Sequence, residues 1–125
     1  MIYKNNQIPA LEKLLDTLKS KSFSVQTQYK FLKISKTIRQ EAELYDEQRR
    51  YLIENYAERD ENGQFIISEG GGLKVKPDKL VECTEKIEEI NNFQIQFPDI
   101  YFSLDELEPL NLTLGELELL DPFIK

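Results

Sequence analysis

The sequence predicts an α+β fold: an antiparallel helical hairpin with a long central helix, a β-hairpin at its tip, and small strands and short helices at its base. Three observations carry this. Residues 24–59 contain no Gly or Pro, and Phe31, Ile38, Tyr45 and Leu52 recur every seven residues, which is a coiled-coil-like seam. Residues 77–92 repeat a helical pattern of Leu80, Cys83, Thr84, Ile87 and Ile90 with Glu82, Glu85, Glu88 and Glu89 on the other side. Between and after these segments, Phe65-Ile66-Ile67, Leu73-Lys74-Val75-Lys76 and Phe93-Gln94-Ile95-Gln96-Phe97 carry β-prone residues or strict alternation.

Each element has its own warrant along a single domain, 1–125. Residues 1–8 read as a short strand, Ile2-Tyr3-Lys4, with a turn at Asn5-Asn6. Pro9 then suits a first helical position, and Leu11, Leu14, Leu15 and Leu18 predict a helix over 9–20. The long helix, 24–59, widens its stripe with Ile34, Ala42, Ile53 and Tyr56. Its length of ~50 Å demands a neighbour, and 77–92 supplies one, opened by Pro77-Asp78. Asn62-Gly63 and Gly70-Gly71-Gly72 are the turn signals around a β-hairpin over 64–76. Strands are expected within 93–102, pairing with residues 2–4. Ser103 with Glu106, and Thr113 with Glu116, form capping-box pairs, opening short helices within 104–121. No internal repeat is legible in the chain.

Composition bounds the chemistry. The 125 residues include no His, no Trp and one Cys. That excludes His-based acid–base work, Ser-His and Cys-His nucleophiles, His-ligated metals and an intramolecular disulfide. Cys83 sits on an apolar stripe beside Glu82 and Glu85 and reads as an inert core thiol. No cofactor is expected. The net charge of −7 hides a split. Residues 1–40 hold eight Lys/Arg against two Asp/Glu, whereas residues 78–124 hold two lysines against twelve acids. Such a split can steer a charged partner or neutralise within the fold. No apolar run of signal-peptide or membrane-span length occurs. The expectation is a cytoplasm or a particle assembled there, with no membrane contact.

Four groups invite a functional reading. Glu58, Asp60, Asn62 and Glu69 fall at positions one, three, five and twelve of a calcium-loop pattern with Gly63 at six. Position one is Glu rather than Asp, and glycines replace the exiting helix, so a turn into the hairpin is the preferred reading and no metal is assigned. Lys30, Lys33, Lys36 and Arg39 are spaced by three and offer a basic helix face. An overall acidic chain makes a protein partner fit that face better than nucleic acid. Glu85, Glu88 and Glu89 offer an acidic face, which can imitate nucleic-acid phosphates. Leu117, Leu120 and Phe123 give the last segment an apolar side, a candidate contact for a partner or a second copy.

The order of features carries a resemblance. Ile8-Pro9-Ala10-Leu11, Leu18-Lys19, Lys30-Phe31-Leu32-Lys33, Tyr56-Ala57-Glu58-Arg59-Asp60-Glu61-Asn62-Gly63 and Leu120-Asp121-Pro122-Phe123-Ile124 follow one another across nearly the whole chain. In this the chain resembles a small uncharacterised family of tailed-bacteriophage and prophage proteins from Gram-positive hosts. Gln26 and Gln28 stand where that family tends to carry arginines. The resemblance implies a phage origin and no assigned activity. The expected function is a non-enzymatic accessory protein working by protein–protein contact with a phage structural or host protein, in particle assembly. The alternative is a small acidic inhibitor of a host defence or nucleic-acid-processing enzyme.

Overall fold

The computed structural model describes residues 2–125, and helices dominate it. In chain order the elements are β1 (Ile2–Lys4), α1 (Ile8–Leu18), α2 (Val25–Tyr56), α3 (Leu80–Asn91), β2 (Gln94–Gln96), α4 (Leu104–Leu107) and α5 (Leu114–Leu120). The chain divides into two compact units. One comprises the chain up to Ala42 with Gln94–Lys125; the other is Glu43–Phe93.

In the first unit β1 pairs antiparallel with β2, the partner expected for residues 2–4, with Tyr3 opposite Ile95. The ladder stops at β2 because Phe97 leads into Pro98, which has no N–H to donate. The predicted strands over 93–102 therefore reduce to three residues and one isolated parallel bridge, Phe102 to Ile124. Asn5–Gln7 form a 3-10 turn that runs straight into α1, so Pro9 takes the second helical position rather than the first. Both capping boxes form. Ser103 Oγ accepts from the Glu106 N–H at 3.2 Å, and Thr113 Oγ1 accepts from the Glu116 N–H at 3.2 Å.

Two aromatic groups fill this unit's core. Tyr3 stacks on Phe123 and meets Phe97 edge-on, while its hydroxyl donates to the Leu119 carbonyl at 2.6 Å. Phe31 stacks on Phe102 with ring centroids 4.4 Å apart, and Phe23 meets Phe31 edge-on. Around them Ile8, Leu11, Leu14 and Leu18 of α1 and Ile34 and Ile38 of α2 are buried. Each such side chain contributes about 1.5–3 kcal/mol on leaving water.

One polar knot borders this apolar core. Ser24 caps α2, its Oγ accepting from the Thr27 N–H at 3.2 Å. Thr27 is 1% exposed, and its hydroxyl donates to Glu106 Oε2 at 3.2 Å. Lys30 Nζ donates to both Glu106 oxygens, at 3.0 and 2.9 Å, and to the Tyr101 carbonyl at 2.7 Å. Glu106 Oε1 also accepts from the Ser103 N–H. One carboxylate thus joins the start of α2 to the start of α4.

The second unit departs from the expected hairpin. Residues 56–79 form three successive octads. Ala57 bridges Val75, Arg59 bridges Phe65, and Ile67 bridges Leu73, all antiparallel. The Ile66 N–H donates to the Glu58 carbonyl (3.0 Å), Lys74 to Ile66 (2.9 Å) and Glu58 to Lys74 (2.7 Å). These three residues are eight apart and close a triangle. The turns repeat with the same period: Asp60 donates to Gln64, Ser68 to Gly72 and Lys76 to Tyr56; Gly63 donates to Asp60, Gly71 to Ser68 and Lys79 to Lys76. An eightfold-spaced repeat that the letters conceal is therefore present in the backbone. Gly63 and Gly71 occupy equivalent corners with φ of 78° and 89°. At the third corner Lys79 has φ of −111°, and the chain enters α3 instead.

Two predictions follow from these geometries. Gly71→Ala should destabilise by about 1 kcal/mol, because a Cβ disfavours positive φ. Gly72→Ala, with no positive φ and nothing within 4 Å of the new Cβ, should be neutral or stabilising by up to about 1 kcal/mol. Urea melts of the two variants compare them directly. In the first unit, hydrogen bonding from Lys30, then from the Ser103 backbone, holds the Glu106 carboxyl below its usual range despite its partial burial. Its stabilisation is complete above the unfolded value near 4.3 and is lost as pH falls through the lower folded value. Glu106→Gln should cost about 1–2 kcal/mol at pH 7 and flatten the acid limb of stability measured between pH 6 and 3.

Candidate functional site

The four basic residues do not share a face. Steps of three turn a helix by about 300°, so each side chain falls back roughly 60° from the one before, and the group fans across half the circumference of α2. Lys30 turns inward to Glu106 and lies over the Phe102 ring. Lys33 lies over the Tyr29 ring at 4.7 Å. Lys36 and Arg39 are exposed.

Arg39 belongs to a different feature, a groove between α1 and α2 of about 310 Å³. Its apolar wall comprises Leu15, Leu18, Phe23, Phe31 and Leu32, with Gln28 and Ser35 between them. Its charged residues are Lys19, Lys21 and Arg39. The geometry follows from two helices touching along buried lines. Leu11, Leu14 and Leu18 face inward from α1, and Phe31, Ile34 and Ile38 from α2. The next row on α2 is Gln28, Leu32, Ser35 and Arg39, spaced as residues stacked along one helix face. Of that row Gln28 and Arg39 are exposed, Ser35 is half-buried and Leu32 remains 49% exposed.

The three cations are spent unequally. Lys21 Nζ donates to the Leu110 carbonyl at 2.6 Å. Lys19 meets Asp16 at 3.1 Å, an exposed pair of small energetic value. Among the described residues no carboxylate lies within ion-pair distance of Arg39. Glu12 and Asp16 border a smaller hollow of about 80 Å³ that shares Leu15, Lys19, Ser35 and Arg39.

The other sequence candidates separate. Leu120 and Phe123 are 1% and 0% exposed. They fill the core under Tyr3 and offer no contact surface, a correction to the apolar-end expectation; Leu117 beside them is half-buried. Leu120 is the buried leucine of the short helix, Leu114 at its start is 77% exposed, and Tyr3 and Phe97 both pack on Phe123. Glu85, Glu88 and Glu89 are exposed on α3, with Lys86 3.8 Å from Glu89. The calcium-loop residues hold other roles. Glu58 pairs with Lys74 at 3.2 Å, and Asp60 Oδ1 accepts from the Asn62 and Gln64 N–H groups at 2.9 Å each. Asn62 and Glu69 lie exposed in separate turns. Among the described residues no three acidic or thiol groups converge as a metal site would require.

Cys83 is buried, and burial pushes its thiol pKa up. Tyr45 Oη donates to Asn91 Oδ1 in the same unit, and the Arg49 guanidinium lies over the Tyr45 ring. Sequence reasoning missed the groove because Leu15 was counted into the core stripe and Leu32 into no stripe. The available signal was the 28-32-35-39 row, displaced from the seam.

No family model matches this chain, and no curated protein or solved structure matches it. No described helix is long and apolar enough to cross a membrane.

A native-state thiol assay checks the Cys83 environment. Its reaction with an aromatic disulfide should run roughly 100-fold slower than that of a free thiol, the factor for an opening of about 3 kcal/mol. Rapid labelling at pH 8 would contradict the packing.

Proposed function

We propose that this chain is a non-enzymatic accessory protein that works by protein–protein contact, of the kind tailed phages and prophages use in particle assembly. The carrying observation is the open α1–α2 groove, whose apolar wall and uncommitted Arg39 suit a macromolecular partner. The working place is the host cytoplasm or the particle itself. The predicted hairpin of α2 and α3 belongs to this reading. Tyr45 bonds Asn91, and Tyr56 interacts with Glu82, two contacts that advance along one helix and retreat along the other.

The acidic-inhibitor reading keeps one observation of its own. Glu85 and Glu88 are exposed and, among the described residues, no lysine or arginine stands within ion-pair distance of either.

Affinity capture from phage-producing cells, at low and moderate salt, separates the two readings. The tagged chain should retain phage structural proteins in moderate salt. Enrichment of one host nucleic-acid enzyme, lost with salt and with Glu85→Lys/Glu88→Lys, would favour the inhibitor. Catalytic turnover by the pure protein would sink both.

A further inference from the structure

We infer that the α1–α2 groove is a seat for an amphipathic helix with acidic flanks, supplied by a different protein. This rests on the contact-module reading and names the chemistry of the partner.

The backbone decides the partner's conformation. Both walls of the groove are helices, whose mid-helix N–H and C=O groups already bond to one another. An extended segment laid there would bury its own backbone groups without partners, at a cost comparable to a lost hydrogen bond for each. A helix satisfies its backbone internally and presents only side chains. The row Gln28, Leu32, Ser35 and Arg39 covers eleven residues of rise, ~16 Å, or about three turns of a docked helix. Ridge-into-groove packing of apolar side chains at i, i+4 and i+7 then fills the hollow between Leu15, Phe23 and Leu32.

Charge decides its flanks. The chain is acidic overall, yet the groove wall is cationic in all its charged members, Lys19, Lys21 and Arg39. Lys21 and Lys19 already have partners, so Arg39 is the cation left for an incoming carboxylate. A guanidinium suits that role through bidentate pairing. Glu12 and Asp16 stand with Arg39 around the smaller hollow, so the partner's acids belong over the larger groove, whose charged lining is Lys19, Lys21 and Arg39.

The chain's own acidic helices do not supply the occupant. α3 turns Cys83 inward and α5 turns Leu120 inward, and the apolar residues they leave exposed, Leu80 and Val81 on α3 and Leu114 on α5, stand at the helix starts rather than in an i, i+4, i+7 row. A second copy is therefore an outcome that would count against the inference.

The test is selection of peptides of about 16 residues, roughly four helical turns, from a random display library against the full chain. Selected sequences should carry apolar residues at i, i+3 or i+4, and i+7, flanked by Asp or Glu. A fluorescein-labelled winner should bind at least about tenfold more weakly to Leu32→Lys and to Arg39→Glu. Both positions are exposed, so both variants should keep the wild-type melting temperature. Arg39→Glu should regain binding to a version of the peptide with Lys in place of Glu. No enrichment, a basic or extended consensus, or binding indifferent to both substitutions would overturn the inference. So would concentration-dependent dimerisation in sedimentation equilibrium that Leu32→Lys abolishes. If affinity capture retains a partner with both variants, the contact reading stands and the groove assignment falls.

Discussion

Glu106 is the carboxylate on which the first unit's polar order depends. It accepts from the Ser103 N–H as the third residue of a capping box, from Lys30 through both oxygens, and from the Thr27 hydroxyl. A local sequence device is thereby used a second time as a long-range tie. Thr27 is held in turn by Ser24, the residue that caps α2. The start of the longest helix, the start of α4 and the orientation of Lys30 over Phe102 are therefore set together. Removing Glu106 takes a partner from the buried Thr27 hydroxyl as well as from Lys30, so the loss exceeds that of a single bond in the set.

The octads solve a different problem. A stretch of 24 residues with modest apolar content cannot build a deep core, and among these residues Ala57 is the buried one. Its order comes from backbone closure. Glu58, Ile66 and Lys74 each donate to one member of the triangle and accept from another, so none of the three leaves a strand edge open at that level. The Glu58–Lys74 ion pair and the Arg59 guanidinium over the Phe65 ring at 4.0 Å add side-chain support on the same frame. Glycine is required only where the corner takes positive φ, at Gly63 and Gly71, and the third corner dispenses with it by turning into a helix.

What could be read from the letters follows the range of each interaction. Helix α2 was legible because its seam is local and sustained, and Phe31, Ile34, Ile38 and Tyr45 are buried. Both capping boxes were legible because three residues span them. A strand within 93–102 followed from strict alternation, whereas its limits at 94–96 and its register against residues 2–4 come from the fold. The octads were not legible, since equivalent positions hold Glu58, Ile66 and Lys74, which share no chemistry; their equivalence lies in main-chain hydrogen bonds. The basic face misled because three-residue spacing was taken as one surface, whereas the helical turn fans Lys30 away from Arg39. Leu120 and Phe123 looked like an exposed apolar end because nothing local reveals that Tyr3, far off in sequence, stacks over Phe123.

The charge split acquires a physical meaning once the cations are placed. Lys30 is turned to Glu106 and Lys21 to the Leu110 carbonyl, so part of the basic N-terminal excess is consumed by the C-terminal segment within one unit. That consumption is selective by position. Lys30 lies on the side of α2 that faces Phe102, and there its charge meets a carboxylate. Arg39 lies nine residues on, on the side that faces α1, where Glu12 and Asp16 border the same small hollow but, among the described residues, no carboxylate stands within ion-pair distance of it. Two basic residues from one run thus end in opposite electrostatic situations. The difference arises from helical geometry acting on an even spacing of three, and it leaves a guanidinium without an ion pair beside the half-exposed Leu32.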